Sequence, residues 1–340
     1  RALNIVDPNF EAPLTDELLF SVEHAIRPEF VVGLNLTLRN INNIAQSERL
    51  VYCAPGEGGC TLNEYGDAVR VTRRSDWTQV GTINQTRPDG SPISQPVFGL
   101  TGAEDTAGAF LFNGDAEQDY TGVSLTFNKR LANRWMLRGN FTWANWEWDA
   151  KDGTYADPNV YLNGGYDGDA VLQGSGTGSG AKGAIYINSE WSYDITGLYQ
   201  IAPDRPWGFN VSGHLYGREG YPIPYFQRFS CATMQITNCV GNVENIALAA
   251  PDEFRNDDIH LVDLRLEKDF QVGELNFTIL GEVFNAFNEA TALQTQHRLA
   301  NAGSVVGIGG GETLRVNGAD YVTEVISPRV FRLGTRFHFR

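Results

Sequence analysis

The sequence predicts an all-β chain whose antiparallel strands form a transmembrane β-barrel. Three observations carry this. Segments of alternating apolar and polar residues recur along the 340 residues, each about ten residues long, the length at which a tilted strand crosses a bilayer. Short turns and long polar connections alternate between them. Aromatic residues stand at the ends of the segments. Alternation alone also fits a soluble sandwich, whose strands have one apolar and one polar face; the three observations together favour the barrel.

The elements follow in order. Leu18, Phe20 and Val22 alternate with Ser21 and Glu23. After a turn at Arg27, Pro28 and Glu29, Phe30, Val32, Leu34, Leu36 and Leu38 alternate with Gly33, Asn35, Thr37 and Arg39. Val123, Leu125 and Phe127 oppose Ser124, Thr126 and Asn128, and past a turn at 131–133 come Trp135, Leu137, Gly139, Phe141 and Trp143. A third pair runs through Ile195, Gly197, Tyr199 and Ile201, turns at 203–206, and returns through Trp207, Phe209, Val211, Gly213 and Leu215. A fourth has Val262, Leu264 and Leu266, a turn at 271–273, then Leu275, Phe277, Ile279, Gly281 and Val283.

The last strand lies in residues 327–340, SPRVFRLGTRFHFR. Successive side chains on a strand point to opposite faces. Phe331, Leu333, Thr335, Phe337 and Phe339 therefore share one face, and Val330, Arg332, Gly334, Arg336 and His338 the other. Phe30, Trp135, Trp143, Trp207 and Phe339 are the candidate girdle aromatics, suited to the water–lipid boundary.

That makes nine strands. Short turns follow the first, third, fifth and seventh; the long connections 41–118, 147–190, 218–259 and 286–326 follow the others. Connections so long are uncommon in compact soluble domains, whereas a barrel has short periplasmic turns and long extracellular loops. Segment 41–118 has room for a further hairpin, with 68–73 and 77–84 as candidate strands, so nine to eleven strands are expected.

With 41 acidic against 26 basic residues, a net charge of −15, the chain lacks the basic footprint of a nucleic-acid binder. It has no apolar run long enough for a spanning helix. The start, RALNIVDPNF, has neither an initiator Met nor a signal-peptide pattern, which suggests a piece of something longer. The four cysteines form two close pairs in polar segments, Cys53 with Cys60 and Cys231 with Cys239. Two local disulfides made in an oxidising compartment are expected; a zinc site is the competitor, but neither pair has further ligands at the usual spacing.

Residues 281–288 read GEVFNAFN and residues 326–339 read ISPRVFRLGTRFHF. This combination, with its PR-x-x-RLG-x-RF-x-F closing strand, resembles the C-terminal end of TonB-dependent outer-membrane receptors, and among them the Oar-like group. Asp7, Pro8 and Asn9, then Thr15, Asp16 and Glu17, resemble mid-barrel segments of that group, so the likeness spans most of the chain. It implies a 22-stranded plugged barrel in the bacterial outer membrane, of which residues 1–340 supply the C-terminal part while the plug and N-terminal domains lie outside this chain. The implied partners are outer-membrane lipid, the barrel assembly machinery, TonB through the missing N-terminal part, and an extracellular ligand. Family substrates include iron–siderophore complexes, cobalamin, sugars and peptides, with peptide or protein handling in the Oar-like group. A partial barrel would leave two unpaired edges, costly in lipid.

No catalytic arrangement is legible, and neither enzyme activity nor a cofactor is expected. His24, His214, His260, His297 and His338 are scattered without metal-ligand spacing, and the Gly/Ser-rich 174–183 lacks the Gly-Lys-Ser/Thr of a phosphate loop. Asp149, Asp152, Asp157, Asp167 and Asp169, and Asp252, Asp257 and Asp258, match no calcium-loop spacing and read as solvated acidic loops. Trp146, Trp148, Tyr216, Tyr221, Tyr225 and Phe226 either line a substrate vestibule or brace the loops. Three function classes follow: a TonB-dependent transporter whose loops capture the substrate, a binding or adhesion barrel that transports nothing, and a soluble secreted β-protein such as a lectin.

Overall fold

The computed structural model describes residues 3–101, 106–149, 156–161, 171–173, 185–187, 189–223, 225–229, 244–249, 252–273, 275–295, 299, 304–309, 312–316 and 322–338. Among the described residues the structure is all-β apart from two short helical turns, at Arg74–Asp76 and Pro158–Tyr161. Nine strands form one sheet: β1 (Leu14–Arg27), β2 (Phe30–Asn42), β3 (Glu117–Ala132), β4 (Trp135–Asp149), β5 (Trp191–Ile201), β6 (Phe209–Arg218), β7 (Ile259–Val272), β8 (Leu275–Phe284) and β9 (Val330–His338). They are ordered in space as in sequence, and every neighbouring pair is antiparallel. Among the described residues, β1 and β9 each have one strand neighbour, so the sheet has two open edges.

Pairing register decides which side chains share a face. Phe20 lies opposite Leu36, Leu36 opposite Val123, Val123 opposite Trp143, and Trp143 opposite Trp191. A second row runs Val22, Leu34, Leu125, Phe141, Tyr193, and a third runs Leu264, Val283, Phe331. One face of the sheet is therefore apolar from β1 to β9. It is also uncovered: Leu18 is 62% exposed, Phe331 74% and Leu333 88%, and Phe337 is exposed as well. Phe339 lies outside the described residues.

Aromatics bound this face at both ends. Trp135 faces Tyr199 beside the short turns, and Trp143 faces Trp191 beside the long connections. From Trp135 to Trp143 is nine residues of β4, the count with which a tilted strand crosses the hydrocarbon core. Trp207, read as the start of a strand, instead sits exposed in the turn before β6, which begins at Phe209.

The short turns are tight and braced. Asn133 and Arg134 join β3 to β4 with φ of 52° and 72°, a pair of left-handed residues of the kind that lets a two-residue turn follow the strand twist. Lys129 donates to the carbonyls of Ala132 and Trp135, both at 2.9 Å, with its ammonium 4.0 Å from the Trp135 ring centroid. Lys268 similarly holds the carbonyls of Pro206 at 2.7 Å and Gly208 at 2.9 Å.

Burial is inverted relative to a soluble sandwich. Within the nine strands, the buried apolar residues among those described are Ala144 and Ile259 alone. The others belong to the connections: Leu50, Val51, Val69, Trp77, Ile83, Val97, Leu100, Ala107 and Ala116 from 41–118, Ile223, Tyr225, Ile246, Leu248 and Ala249 from 218–259, and Ile326 from 286–326. Segments read as polar loops thus carry the ordinary hydrophobic core.

Segment 41–118 holds two units. Ala45–Tyr52 is flanked by Ala68–Val71 and Thr106–Asn113 in a five-stranded sheet that Ile5–Val6 joins in parallel. The Cys53–Cys60 disulfide closes the loop after Ala45–Tyr52; Cys231 and Cys239 lie outside the described residues. Arg70, nearly buried, donates to Asp76 at 2.6 Å and pairs with Glu57. The second unit is a hairpin of Trp77–Thr86 with Pro92–Leu100. The expected candidates at 68–73 and 77–84 are therefore strands, but they neither pair with each other nor join the main sheet, which stays at nine strands. Val69 packs within the segment, against Leu50 and Ala107, while the hairpin's Ile83 and Val97 find partners in the other loops.

Those partners tie the four long connections together. Ile83 and Val97 pack against Ile246 and Leu248, with Leu299 beside them. Gln85 donates to Gln227 at 2.9 Å, and the Leu299 N–H donates to the Phe226 carbonyl at 2.9 Å. Asn159 exchanges two hydrogen bonds with the Phe98 backbone, both 2.9 Å.

Candidate functional site: an aromatic cavity on the polar face

The opposite face of the sheet is polar, since every residue between two members of an apolar row points the other way. Near the long connections this face forms a cavity of about 490 Å³. Tyr120 comes from β3, Asn140, Thr142, Ala144 and Trp146 from β4, Ser192 and Asp194 from β5, and Tyr216 and Arg218 from β6; Ser189 and Tyr221 close it from the adjoining segments. Register assembles these residues: Tyr120 pairs with Trp146, Asn140 with Asp194, Thr142 with Ser192, Asp194 with Tyr216 and Ser192 with Arg218.

The aromatic wall is held in place. The Tyr120 and Trp146 rings are 4.9 Å apart, and the Arg39 guanidinium, itself paired with Glu17, lies 5.8 Å from the Tyr120 ring. Gly122 makes room for that ring, because a Cβ there would meet the Tyr120 hydroxyl oxygen at 2.4 Å.

Two opposite charges stand at the cavity without pairing to each other. Asp194 Oδ2 lies 3.1 Å from His214 Nε2, whose Nδ1 lies 3.7 Å from Asp263 Oδ2. Asp263 in turn accepts the Asn285 N–H at 2.8 Å. The two ring nitrogens of His214 thus face carboxylates on either side, an arrangement that orients Asp194 and does not converge three ligands on one ion. Arg218 lies 3.7 Å over the Tyr221 ring centroid and donates to the Glu219 carbonyl at 3.0 Å.

The segment after Arg218 is stapled to 252–258. Arg255 reaches Glu219 at 2.9 Å and Asp252 at 2.6 Å, and Asp258 accepts the Gly220 N–H at 3.1 Å. Gly220 needs its missing side chain, since a Cβ would fall 1.7 Å from the Asn256 carbonyl oxygen. Burial holds the Glu219 carboxyl above the usual range. Asp252 and Asp258 therefore serve as loop ties.

The six candidate loop aromatics divide. Trp146, Tyr216 and Tyr221 line the cavity. Trp148 shares the face of Trp146, half-buried and one pair further out, opposite Gln118. Tyr225 is buried against Ile223 and Ala249, its ring edge-on to Phe254 at 5.1 Å. Phe226 begins a short strand, Phe226–Phe229, paired with Glu244–Ala247. These last two brace the loop. The sequence reading did not bring Tyr120, Asp194 and Arg218 together, and it placed Arg218 in the long connection 218–259; the missing signal was cross-strand register.

A carboxylate pair pins segment 147–190 to segment 41–118. Glu48 Oε1 accepts the Ala156 N–H at 2.7 Å, and Asp157 accepts from the Asn159 N–H at 2.8 Å and side-chain amide at 2.7 Å. Burial, and then the Asp157 charge, raise the Glu48 carboxyl; burial pushes Asp157 up to about 6. An acid whose folded pKa exceeds its unfolded value holds a proton in the fold that the open loop lacks. Between about pH 4 and 6 the packing of 156–159 therefore strengthens as pH falls, by about 2 kcal/mol across the window. Hydrogen exchange at these amides is expected to slow from pH 7 to pH 5 once corrected for intrinsic rates. Asp157→Asn should flatten most of that dependence; an unchanged profile would assign it to another group.

No family model matches the chain, and no curated protein sequence matches it. Among solved structures, the chain is similar to the outer membrane transporter YddB from Escherichia coli, at 13% identity and a TM-score of 0.42 over 98% of this chain. The chain spans about a third of that protein's length, 34%. A likeness at this level carries no argument, and the functional reading rests on the sheet, its two faces and its loops.

Proposed function

We propose that the chain is the C-terminal part of an outer-membrane transport barrel that captures its ligand at the polar cavity beneath the long loops. The observation that supports this is the inverted burial: an apolar face left open across nine strands, beside connections that bury an ordinary core. In water that face would be a very large exposed apolar patch; in a bilayer it is the lipid-facing band between two aromatic girdles. Missing strands pair with the edges of β1 and β9, the polar face lines the lumen, and a plug supplied from outside this chain is driven by TonB. Transport then proceeds without covalent chemistry.

Two measurements test this. On reduced intact cells, Cys53 and Cys60 should react with a membrane-impermeant thiol reagent, because 41–118 belongs outside. Reaction only after the outer membrane is broken would put the loops on the wrong side. The complete reading frame should encode a plug domain and a TonB box ahead of Arg1; a frame without a plug would reassign the barrel to ligand display alone.

A further inference from the structure

We propose that the cavity on β3–β6 takes a small aromatic zwitterion, its ammonium at Asp194 and its carboxylate at Arg218. The inference rests on the reading of this cavity as the capture site. Each charge is oriented by a partner that leaves it facing the cavity: Asp194 by His214 at 3.1 Å, Arg218 by the Tyr221 ring at 3.7 Å. A guanidinium stacked on a ring keeps its edge N–H groups available to a carboxylate. Tyr120, Trp146 and Tyr216 add aromatic surface around them, and Asn140 and Ser192 add polar groups.

The combination selects against the other small-molecule classes. A neutral sugar would use the rings and hydroxyl groups but form no charge-assisted hydrogen bond with Asp194 or Arg218, and so gains less from the site. An anionic chelate would meet Arg218 favourably and Asp194 unfavourably. A ligand carrying both charges satisfies both walls.

Spacing bears on the source. Asp194 pairs with Tyr216, and Arg218 lies two residues further along the same face, so the two are diagonal neighbours with backbones roughly 7–8 Å apart. The ends of an extended dipeptide are separated by about 7 Å, at 3.3–3.6 Å per residue, while a free amino acid carries both charges on one Cα. A dipeptide matches that backbone spacing; a free amino acid reaches both only if the Arg218 side chain leans towards Asp194.

The test is calorimetric titration of the full-length protein, purified in detergent, with alanyl-phenylalanine, phenylalanine and maltose. Saturable binding of at least one zwitterion and none of maltose is expected. A dipeptide at least tenfold tighter identifies the peptide source; tighter phenylalanine identifies the free amino acid. N-acetylation of the tighter ligand should weaken it about tenfold or more in the unaltered protein but cost little further in Asp194→Asn. Amidating its carboxylate should behave likewise against Arg218→Gln.

Because the blocked ligands are tested on the unaltered protein, a variant that folds poorly does not remove the test. Binding of maltose alone, equal binding of blocked and free ligands, or binding of neither zwitterion overturns the proposal. Uptake of the labelled ligand by intact cells separates the two readings: binding without uptake would remove the transport function and leave the cavity assignment standing.

Discussion

Leu125→Arg is expected to destabilise the full-length protein in lipid vesicles by about 1–3 kcal/mol, because the cost of an arginine on a barrel's lipid face, about 2–4 kcal/mol at the midplane, falls towards the girdle and Leu125 lies one same-face step inside the Trp143 level. Leu125 sits in the middle of β3, opposite Leu34 and Phe141 on the apolar face, and is 46% exposed. Ser124→Arg, one residue away on the polar face where Ser124 meets Thr142 at 2.8 Å, should cost much less. Urea unfolding from vesicles of the two variants measures the difference. A soluble β-protein predicts the reverse ranking, because an arginine on a water-exposed apolar face is harmless. Equal effects would remove the assignment of the apolar face to lipid.

Ile246→Ala should have the second large effect, confined to the loops. Ile246 is fully buried where the hairpin of 41–118 meets 218–259, packed with Ile83, Val97 and Leu248. Truncating an isoleucine at such a site costs about 2–5 kcal/mol, depending on how far the cavity collapses. None of these residues belongs to the nine-stranded sheet. Hydrogen exchange is expected to accelerate in 77–100 and 244–249 and to stay unchanged in β3–β6. Acceleration spread equally through the sheet would show that cap and barrel unfold as one unit, contrary to their separate cores.

All nine strands of the sheet were legible because the period-two signal is strong wherever one face is apolar along its length. Leu34, Leu36 and Leu38 against Asn35 and Thr37 identify β2 and its apolar face without any knowledge of its neighbours. The alternation of short turns with long connections was legible for the same reason. The interior of 41–118 was not. Leu50 and Val51 lie in a short strand whose partners, Ala68–Val71 and Thr106–Asn113, are remote in sequence, so no local period announces a core. The hairpin from Trp77 was placed in part, but its partner strand, Pro92–Leu100, contains two prolines and reads poorly as a strand.

The candidate site shows the same division. Trp146, Tyr216 and Tyr221 stood out as aromatics leaving strand ends, as did Tyr225 and Phe226, and composition could not separate them. Sequence by itself determined which face of its strand each residue of β1–β9 occupies, because the pleat sets alternate directions whatever the partner strand is. Tertiary structure alone decided which of those residues meet. Tyr120 reaches Trp146, and Asp194 comes diagonal to Arg218, only through registers set by turns, bulges and long-range pairing. A slip of one residue in either pair would put the side chains of one strand on the opposite face from their partners and dismantle the site.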